Sequence, residues 1–174
     1  KTHYPDAMKT GNRQRRGFTL LELLVVLTIV ALMAGGGLHG WIQYQQAIRL
    51  EQSAQQLLDF LSRVQANAYW HNETRTAKLI PQGELWCMVA GQNEKQAEET
   101  CRENHPGQFV RRTQDVVLAK FTSNVFTFFG LRNAAQAGHI SLSNSAGQLR
   151  LIISVRGRIR LCSEAQVVLA IPLC

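Results

Sequence analysis

One carboxylate lies within the longest apolar run of the sequence. Glu22 is the ionisable residue of a run that extends over residues 18–38. An isolated charge at this depth of a bilayer costs a few kcal/mol, so it requires compensation. One interpretation is that the acid is protonated or reaches the membrane interface. The other is that the chain is cut between Gly17 and Phe18, which would free an amino group to pair with Glu22 of a neighbouring chain.

The four cysteines all follow this run, at Cys87, Cys101, Cys162 and Cys174. An even number of cysteines in an oxidising compartment indicates two disulfides, for which three pairings exist. We favour Cys87–Cys101 and Cys162–Cys174, because each closes a local loop and the second ties down the end of the chain. A metal site at Cys101 and His105 is the alternative, but the paired short spacings of zinc sites are lacking.

The five histidines show no spacing that indicates a catalytic site. No nucleophile or acid lies at the spacing from a histidine that a triad or a zinc protease motif has. The histidines are His3, His39, His71, His105 and His139. We therefore expect no catalytic residues, no metal and no cofactor.

Three arginines within five residues form the remaining candidate site, at Arg156, Arg158 and Arg160. In a strand over residues 158–161, Arg158 and Arg160 would project from the same face. The simpler interpretation is a solvated strand face after the turn at Gly157. The functional interpretation is contact with nucleic-acid phosphates. Four more arginines could extend such a patch: Arg111, Arg112, Arg132 and Arg150.

The apolar run is long enough to cross a membrane. At about 1.5 Å per helical residue, it covers roughly the 30 Å hydrocarbon core of a bilayer. A secretory signal peptide, cut near residues 31–34, is the alternative, but its apolar region should have about 7–15 residues. Four basic residues precede the run without an intervening acid: Lys9, Arg13, Arg15 and Arg16. The positive-inside rule therefore predicts a cytoplasmic N-terminus, with Gly40 and all that follows on the other side.

The remaining chain predicts an amphipathic helix and then a β domain. Over residues 39–70, apolar side chains recur at steps of three and four. They are Trp41, Tyr44, Ile48, Leu57, Leu58, Leu61, Val64 and Ala68. Over residues 71–174, short β-branched and aromatic runs alternate with turn signals, which predicts an antiparallel meander. The predicted strands are 76–80, 84–89, 116–121, 125–129, 139–143, 148–154, 158–162 and 167–171.

The expected fold class is α+β, with a long N-terminal α-helix packed on an antiparallel β-sheet domain. Its core should contain the largest aromatic side chains, namely Trp70, Trp86, Phe126, Phe128 and Phe129. The net charge of +7 is a weak argument for nucleic-acid binding. Residues 1–17 hold five basic residues and one acid, so 14 basic and 11 acidic residues remain beyond them, a net charge of +3.

The N-terminal segment resembles the type III signal of type IV prepilins and type II secretion pseudopilins, through the residues Arg15-Arg16-Gly17-Phe18-Thr19-Leu20-Leu21-Glu22. That family has a short basic leader ending in Gly, then Phe, a hydrophobic helix and Glu at the fifth mature position. The resemblance implies a leader at residues 1–17, cleavage after Gly17, N-methylation of Phe18 and an assembly role for Glu22. Residues 1–7 need not belong to the natural product, since a leader from Met8 would have the family's usual length.

The later part of the chain resembles the minor pilin group that includes the H-type pseudopilins and the FimU/FimT minor pilins. Within that group it is similar to the prepilin peptidase-dependent proteins A of enteric bacteria. These resemblances rest on residues 86–87, 128–133, 137–140 and 157–162. The element Gly157-Arg158-Ile159-Arg160 resembles one associated with DNA binding in FimT-type minor pilins.

The resemblance implies a structural, non-enzymatic minor type IV pilin that helps to initiate pilus assembly near the tip. The alternatives are a DNA-binding minor pilin for DNA uptake and a type II secretion minor pseudopilin. The implied partners are prepilin peptidase, other minor pilins, the major pilin, the inner-membrane assembly platform and, for uptake, DNA. The implied location is the inner membrane, crossed once with a periplasmic C-terminal domain, and then the pilus or pseudopilus.

Overall fold

A computed structural model describes residues 18–82, 85–92, 101–102, 107–110 and 115–174. The chain divides into two compact units, Lys1–His39 and Gly40–Cys174. One helix, α1, extends over Leu20–His71. The strands are β1 (Thr74–Gln82), β2 (Leu85–Gly91), β3 (Gln108–Val110), β4 (Val117–Phe121), β5 (Val125–Phe129), β6 (Ala134–Ala135), β7 (Gly138–Asn144), β8 (Gly147–Ile153) and β9 (Ile159–Glu164). A turn of 3-10 helix, Gly130–Arg132, joins β5 to β6.

In the second unit, α1 buries one stripe of side chains against the strands. A helix returns to the same face every three or four residues, which gives the buried positions this spacing. They are Leu50, Ser53, Ala54, Leu57, Phe60, Leu61, Val64 and Ala68. The predicted stripe is therefore right over its C-terminal half. It is wrong at Trp41 and Tyr44, which are exposed, because Ala47 is the first described helix residue that packs on the core.

The first sheet has the strand order β3-β2-β1-β5-β6, with antiparallel pairing throughout. Side chains alternate between the two faces of a strand, so Ala77 and Leu79 share one face of β1. That face belongs to the main core. The opposite face of β2 holds a smaller cluster around Cys87 and Val89.

The second sheet has the order β4-β7-β8-β9 and is also antiparallel. Alternate residues of β7 and β8 face the core, and they are Ile140, Leu142, Leu149, Leu151 and Ile153. The tail of the chain lies beside the outer strand β9. There Ser163 N donates to Pro172 O at 2.7 Å, and Cys174 N donates to Ser163 O at 3.0 Å.

The predicted single meander is wrong in its connectivity. The chain leaves the first sheet after β3 to form β4, returns for β5 and β6, and then completes the second sheet. Strands β3 and β6 were not predicted because they are too short to show alternation. The strand predicted over residues 167–171 is instead a turn, in which Leu169 has a φ of 51° and Val168 forms an isolated bridge with Ile171.

The aromatic core is predicted correctly in part. Trp86, Phe126 and Phe128 are buried. Phe129 is exposed because it follows Phe128 on the strand and so points to the opposite face. Trp70 is 80% exposed because it lies two residues beyond Ala68, off the buried stripe of α1.

Candidate functional site

The first candidate is the N-terminal part of α1. Every residue from 18 to 35 is exposed within the chain, and Phe18 is 79% exposed. By length and composition, α1 contains a segment that could cross a membrane. Residues 1–17, including Gly17 and the basic residues before it, lie outside the described part of the chain. The first unit thus presents an apolar helix surface that the described part of the chain does not cover.

The start of this helix is set by a local cap. Thr19 O accepts from Leu23 N at 3.2 Å, and Thr19 Oγ1 accepts from Glu22 N at 3.2 Å. Threonine is a favoured N-cap residue, and its hydroxyl oxygen here accepts from an N–H of the first turn. The sequence interpretation missed this cap, although the spacing from Thr19 to Glu22 is its signal. Among the described residues the Glu22 carboxylate has no hydrogen-bond partner, so it remains available to another molecule.

The second candidate is the turn between β8 and β9, which presents the arginines. Gly157 N donates to Ser154 O at 2.9 Å, and Arg158 N donates to Ser154 Oγ at 3.1 Å. Gly157 has a φ of +74°. A Cβ there would also clash with the carbonyl oxygen of Asn133 and with Gln65 Nε2. Glycine is therefore required for the geometry of this turn.

The three arginines are all exposed. Arg160 lies within β9 and Arg158 immediately precedes it, so the strand predicted from Arg158 begins one residue later. In the described part of the chain, no ion pair involves Arg156, Arg158 or Arg160. Their charges are therefore free to contact an anion in solution.

The arginines expected to extend the patch have different positions. Arg132 is exposed, and the next residue, Asn133, is joined to the β8–β9 turn through Gln65. Gln65 Nε2 donates to Asn133 Oδ1 at 3.1 Å and to Gly157 O at 2.7 Å. Arg150 does not extend the patch, because it forms an ion pair with Glu164. Arg111 and Arg112 lie outside the described residues.

Apolar side chains that the sequence interpretation did not group lie around the same end of α1. Trp70 and Leu131 are each 80% exposed and Val155 is 66% exposed. Gly130 packs so closely on the carbonyl of Ala68 that a Cβ would clash, which places Leu131 beside the helix end. Val155 O accepts from Ala135 N at 3.0 Å.

The cysteines form two disulfides. Cys87 is joined to Cys101, with Cα atoms 5.8 Å apart, and Cys162 is joined to Cys174, with Cα atoms 5.0 Å apart. This is the pairing that local loop closure favours. The first links β2 to the segment before β3, and the second links β9 to the tail.

The described histidines make local contacts. His71 Nδ1 lies 3.0 Å from Asn67 O, and His139 Nδ1 lies 2.7 Å from Thr122 Oγ1. His3 and His105 lie outside the described residues. Over the described ranges, no group of three or more His, Cys, Asp or Glu side chains could hold a metal ion.

Comparisons with known proteins identify a motif and a fold. The model of the prokaryotic N-terminal methylation motif matches residues 12–38. A search of curated proteins finds no match. The type IV minor pilin FimU of Pseudomonas aeruginosa (strain PAO1) has a TM-score of 0.51 at 15% identity, over 64% of this chain and 87% of FimU. The minor pseudopilin EpsH from the type 2 secretion system of Vibrio cholerae has a TM-score of 0.50 at 12% identity, over 68% of this chain and 99% of EpsH.

At these identities the structural likeness establishes the fold. The expected α+β architecture, a long N-terminal helix with an antiparallel β-sheet domain, is confirmed. The methylation motif covers the start of that helix. In its N-terminal motif and its pilin-like fold, the chain is therefore similar to the type IV minor pilins and the type II secretion pseudopilins.

Proposed function

We propose that this chain is a minor type IV pilin, a structural protein that helps to initiate pilus assembly and stays near the pilus tip. The observation that carries the proposal is the methylation motif on an exposed apolar helix, followed by a pilin-like domain. Within this group we propose a relationship to prepilin peptidase-dependent protein A of enteric bacteria. Prepilin peptidase would cleave between Gly17 and Phe18 and methylate the Phe18 amine.

The exposed part of α1 supports an assembly role. Large apolar surfaces are rare on soluble monomers and mark contacts with membranes or other proteins. Before assembly this helix would lie in the inner membrane, with a cytoplasmic N-terminus and a periplasmic domain. In the assembly, the Glu22 carboxylate would pair with the Phe18 amine of a neighbouring pilin. The further partners would be other minor pilins, the major pilin and the assembly platform.

The processing step is the most direct test of the proposal. Co-expression with a prepilin peptidase should give a membrane protein whose first residue is N-methylated Phe18, read by intact mass and N-terminal sequencing. Gly17→Leu should abolish cleavage, because a bulky side chain prevents close approach to the backbone at that bond. Thr10→Leu is the matched control within the leader and should be processed. Normal cleavage of Gly17→Leu, or an N-terminus near residues 31–34, would contradict the proposal.

A type II secretion pseudopilin is the first alternative, because EpsH has the same fold. The two machines use the same processing and the same helix, so the distinction depends on the partners. Crosslinking of the processed protein to pilins supports the pilus. Crosslinking to pseudopilins alone supports the alternative.

DNA uptake is the second alternative, which the exposed arginines of the β8–β9 turn favour. About three phosphate contacts predict a slope of roughly −3 in a log-log plot of affinity against salt, with no preference for base sequence. Arg158→Gln and Arg160→Gln should each weaken binding of duplex DNA to the full chain in detergent. Arg49→Gln, which makes the same charge change elsewhere on the domain, should not. If both turn variants bind DNA as tightly as the wild-type protein, these arginines have a structural role and do not bind DNA.

A further inference from the structure

The part of α1 that opens the second unit is not covered by the domain. Residues 40–44 are all exposed, and five consecutive residues complete more than one helical turn, so every side of the helix is open there. Three of these side chains are large: Trp41 is 60% exposed, Ile42 is 56% exposed and Tyr44 is 51% exposed. We call these three residues the collar. Large apolar side chains that a fold does not bury mark contacts with other molecules.

The two rings of the collar have the chemistry of a membrane interface. Their centroids lie 6.4 Å apart. Tryptophan and tyrosine combine a large apolar body with one polar atom, and both are enriched where hydrocarbon meets lipid headgroups. Among the described residues, neither Trp41 Nε1 nor Tyr44 Oη has a hydrogen-bond partner. Both atoms can therefore bond to headgroups or water while the rings contact acyl chains.

The collar lies in the sequence between the apolar run and the first charged residue of the domain. The run ends at residue 38, and Arg49 is the first Asp, Glu, Lys or Arg after Glu22. The interfacial layer on each side of a bilayer's hydrocarbon core is roughly 5–8 Å deep. At about 1.5 Å per residue, the exposed residues 40–44 match that depth. No ionised side chain of residues 40–44 would have to leave water there.

The β7–β8 turn gives the domain a polar, uncharged surface at the same end of α1. Asn144 Nδ2 donates to Gln46 O at 2.7 Å, and Ser145 Oγ donates to Gln46 Oε1. Gln46 follows the collar by two residues, so the turn lies close to it along the helix. Arg49 pairs with Asp115 at 3.5 Å, which compensates the first charge beyond the collar. Hydroxyl and amide groups can bond to headgroups without removing an ion from water.

We propose that the collar anchors the folded domain in the boundary between headgroups and acyl chains, with the β7–β8 turn on the headgroups. The occupant of this surface is a phospholipid bilayer, which can surround a helix that is open on every side. The inference rests on the proposed membrane location of the apolar run. It adds the contact that holds the domain on the bilayer before assembly. Entry into a pilus must then withdraw both rings from lipid.

The test uses the full-length protein, at one copy per lipid nanodisc, with tryptophan fluorescence as the readout. Trp70 is the matched control, because it is 80% exposed on the same helix and about 44 Å farther along it. Trp70→Phe with Trp86→Phe leaves Trp41 as the reporter, and Trp41→Phe with Trp86→Phe leaves Trp70. Phosphatidylcholine brominated near its glycerol should quench Trp41 by at least about half, and Trp70 by less than about a tenth, relative to unbrominated lipid.

A second pair of variants tests the collar itself. Tyr44→Ser should lower the quenching of Trp41 about twofold, because the second ring of the anchor is lost. Tyr69→Ser, which removes an exposed tyrosine beside Trp70, should not change it. Near-UV circular dichroism checks the fold of each variant. If Trp86→Phe unfolds the domain, the buried Trp86 is kept in both reporters as a constant signal.

The outcomes separate this inference from the proposed function. Extraction of the wild-type protein from membranes by alkaline carbonate would overturn both. A membrane-embedded protein whose Trp41 is not quenched by brominated lipid would overturn the anchor alone. Equal quenching of Trp41 and Trp70 would also overturn it, since the domain would then lie flat on the bilayer. So would shielding of Trp41 from acrylamide without quenching by bromine, because protein would then cover the ring.

Discussion

The two halves of α1 differ in what covers them. Leu24 and Leu27, in the first unit, are more than half exposed, whereas Leu57 and Leu61, in the second, are completely buried. All four are leucines in one helix, so neither residue type nor helix propensity explains the difference. The strands of the second unit cover the later half, whereas the described residues leave the earlier half exposed. The comparison shows that one helix can carry, in succession, an apolar surface that the described residues leave exposed and a surface buried in the core of the domain.

The strongest test of this comparison is the same leucine-to-alanine substitution made in each half of α1. Leu61→Ala should lower the free energy of unfolding by about 2–5 kcal/mol, because it leaves a cavity in a packed core. Leu24→Ala should change it by less than about 0.5 kcal/mol, since that side chain packs on nothing within the domain. Denaturant unfolding of the full chain in detergent, followed by near-UV circular dichroism, measures both. Equal destabilisation would show that the two halves fold as one unit.

A somewhat smaller effect is expected from the disulfide that holds the tail. The double substitution of Cys162 and Cys174 by serine should cost about 3 kcal/mol for a loop of this length. The same unfolding measurement reports it. Thiol labelling of the wild-type protein without reductant should find none of the four cysteines free. A reactive Cys174 in the folded protein would contradict the pairing.

The smallest effect on stability is expected at Glu22. Glu22→Ala should leave the free energy of unfolding and membrane insertion unchanged, because the carboxylate has no partner among the described residues and is costly in a bilayer. Pilus initiation should fall sharply, since the partner for a neighbour's Phe18 amine is lost. Glu22→Gln, which keeps the size of the side chain, should fail in the same way. Initiation at the wild-type level by either variant would refute the pairing.

Local patterns explain what could be predicted from the sequence. The apolar run, the buried stripe from Leu57 to Ala68 and most strands follow from periodicity within one segment. The division into two sheets could not be predicted, because the pairing of β1 with β5 depends on contacts between distant segments. For the same reason a cavity between α1 and the first sheet could not be predicted, because its lining residues, such as Arg63 and Arg75, lie on different elements and share no local pattern.

The contact between Ser163 and the tail has a consequence for solubility. An outer strand presents unpaired backbone groups, and two such edges can join into an aggregate. Residues Pro172 and Cys174 occupy this edge of β9 at Ser163. At the other end of β9, Arg160 and the preceding residue Arg158 add like charges that would repel a second copy. Reduction of the Cys162–Cys174 disulfide should therefore favour self-association of the domain as well as weakening its fold.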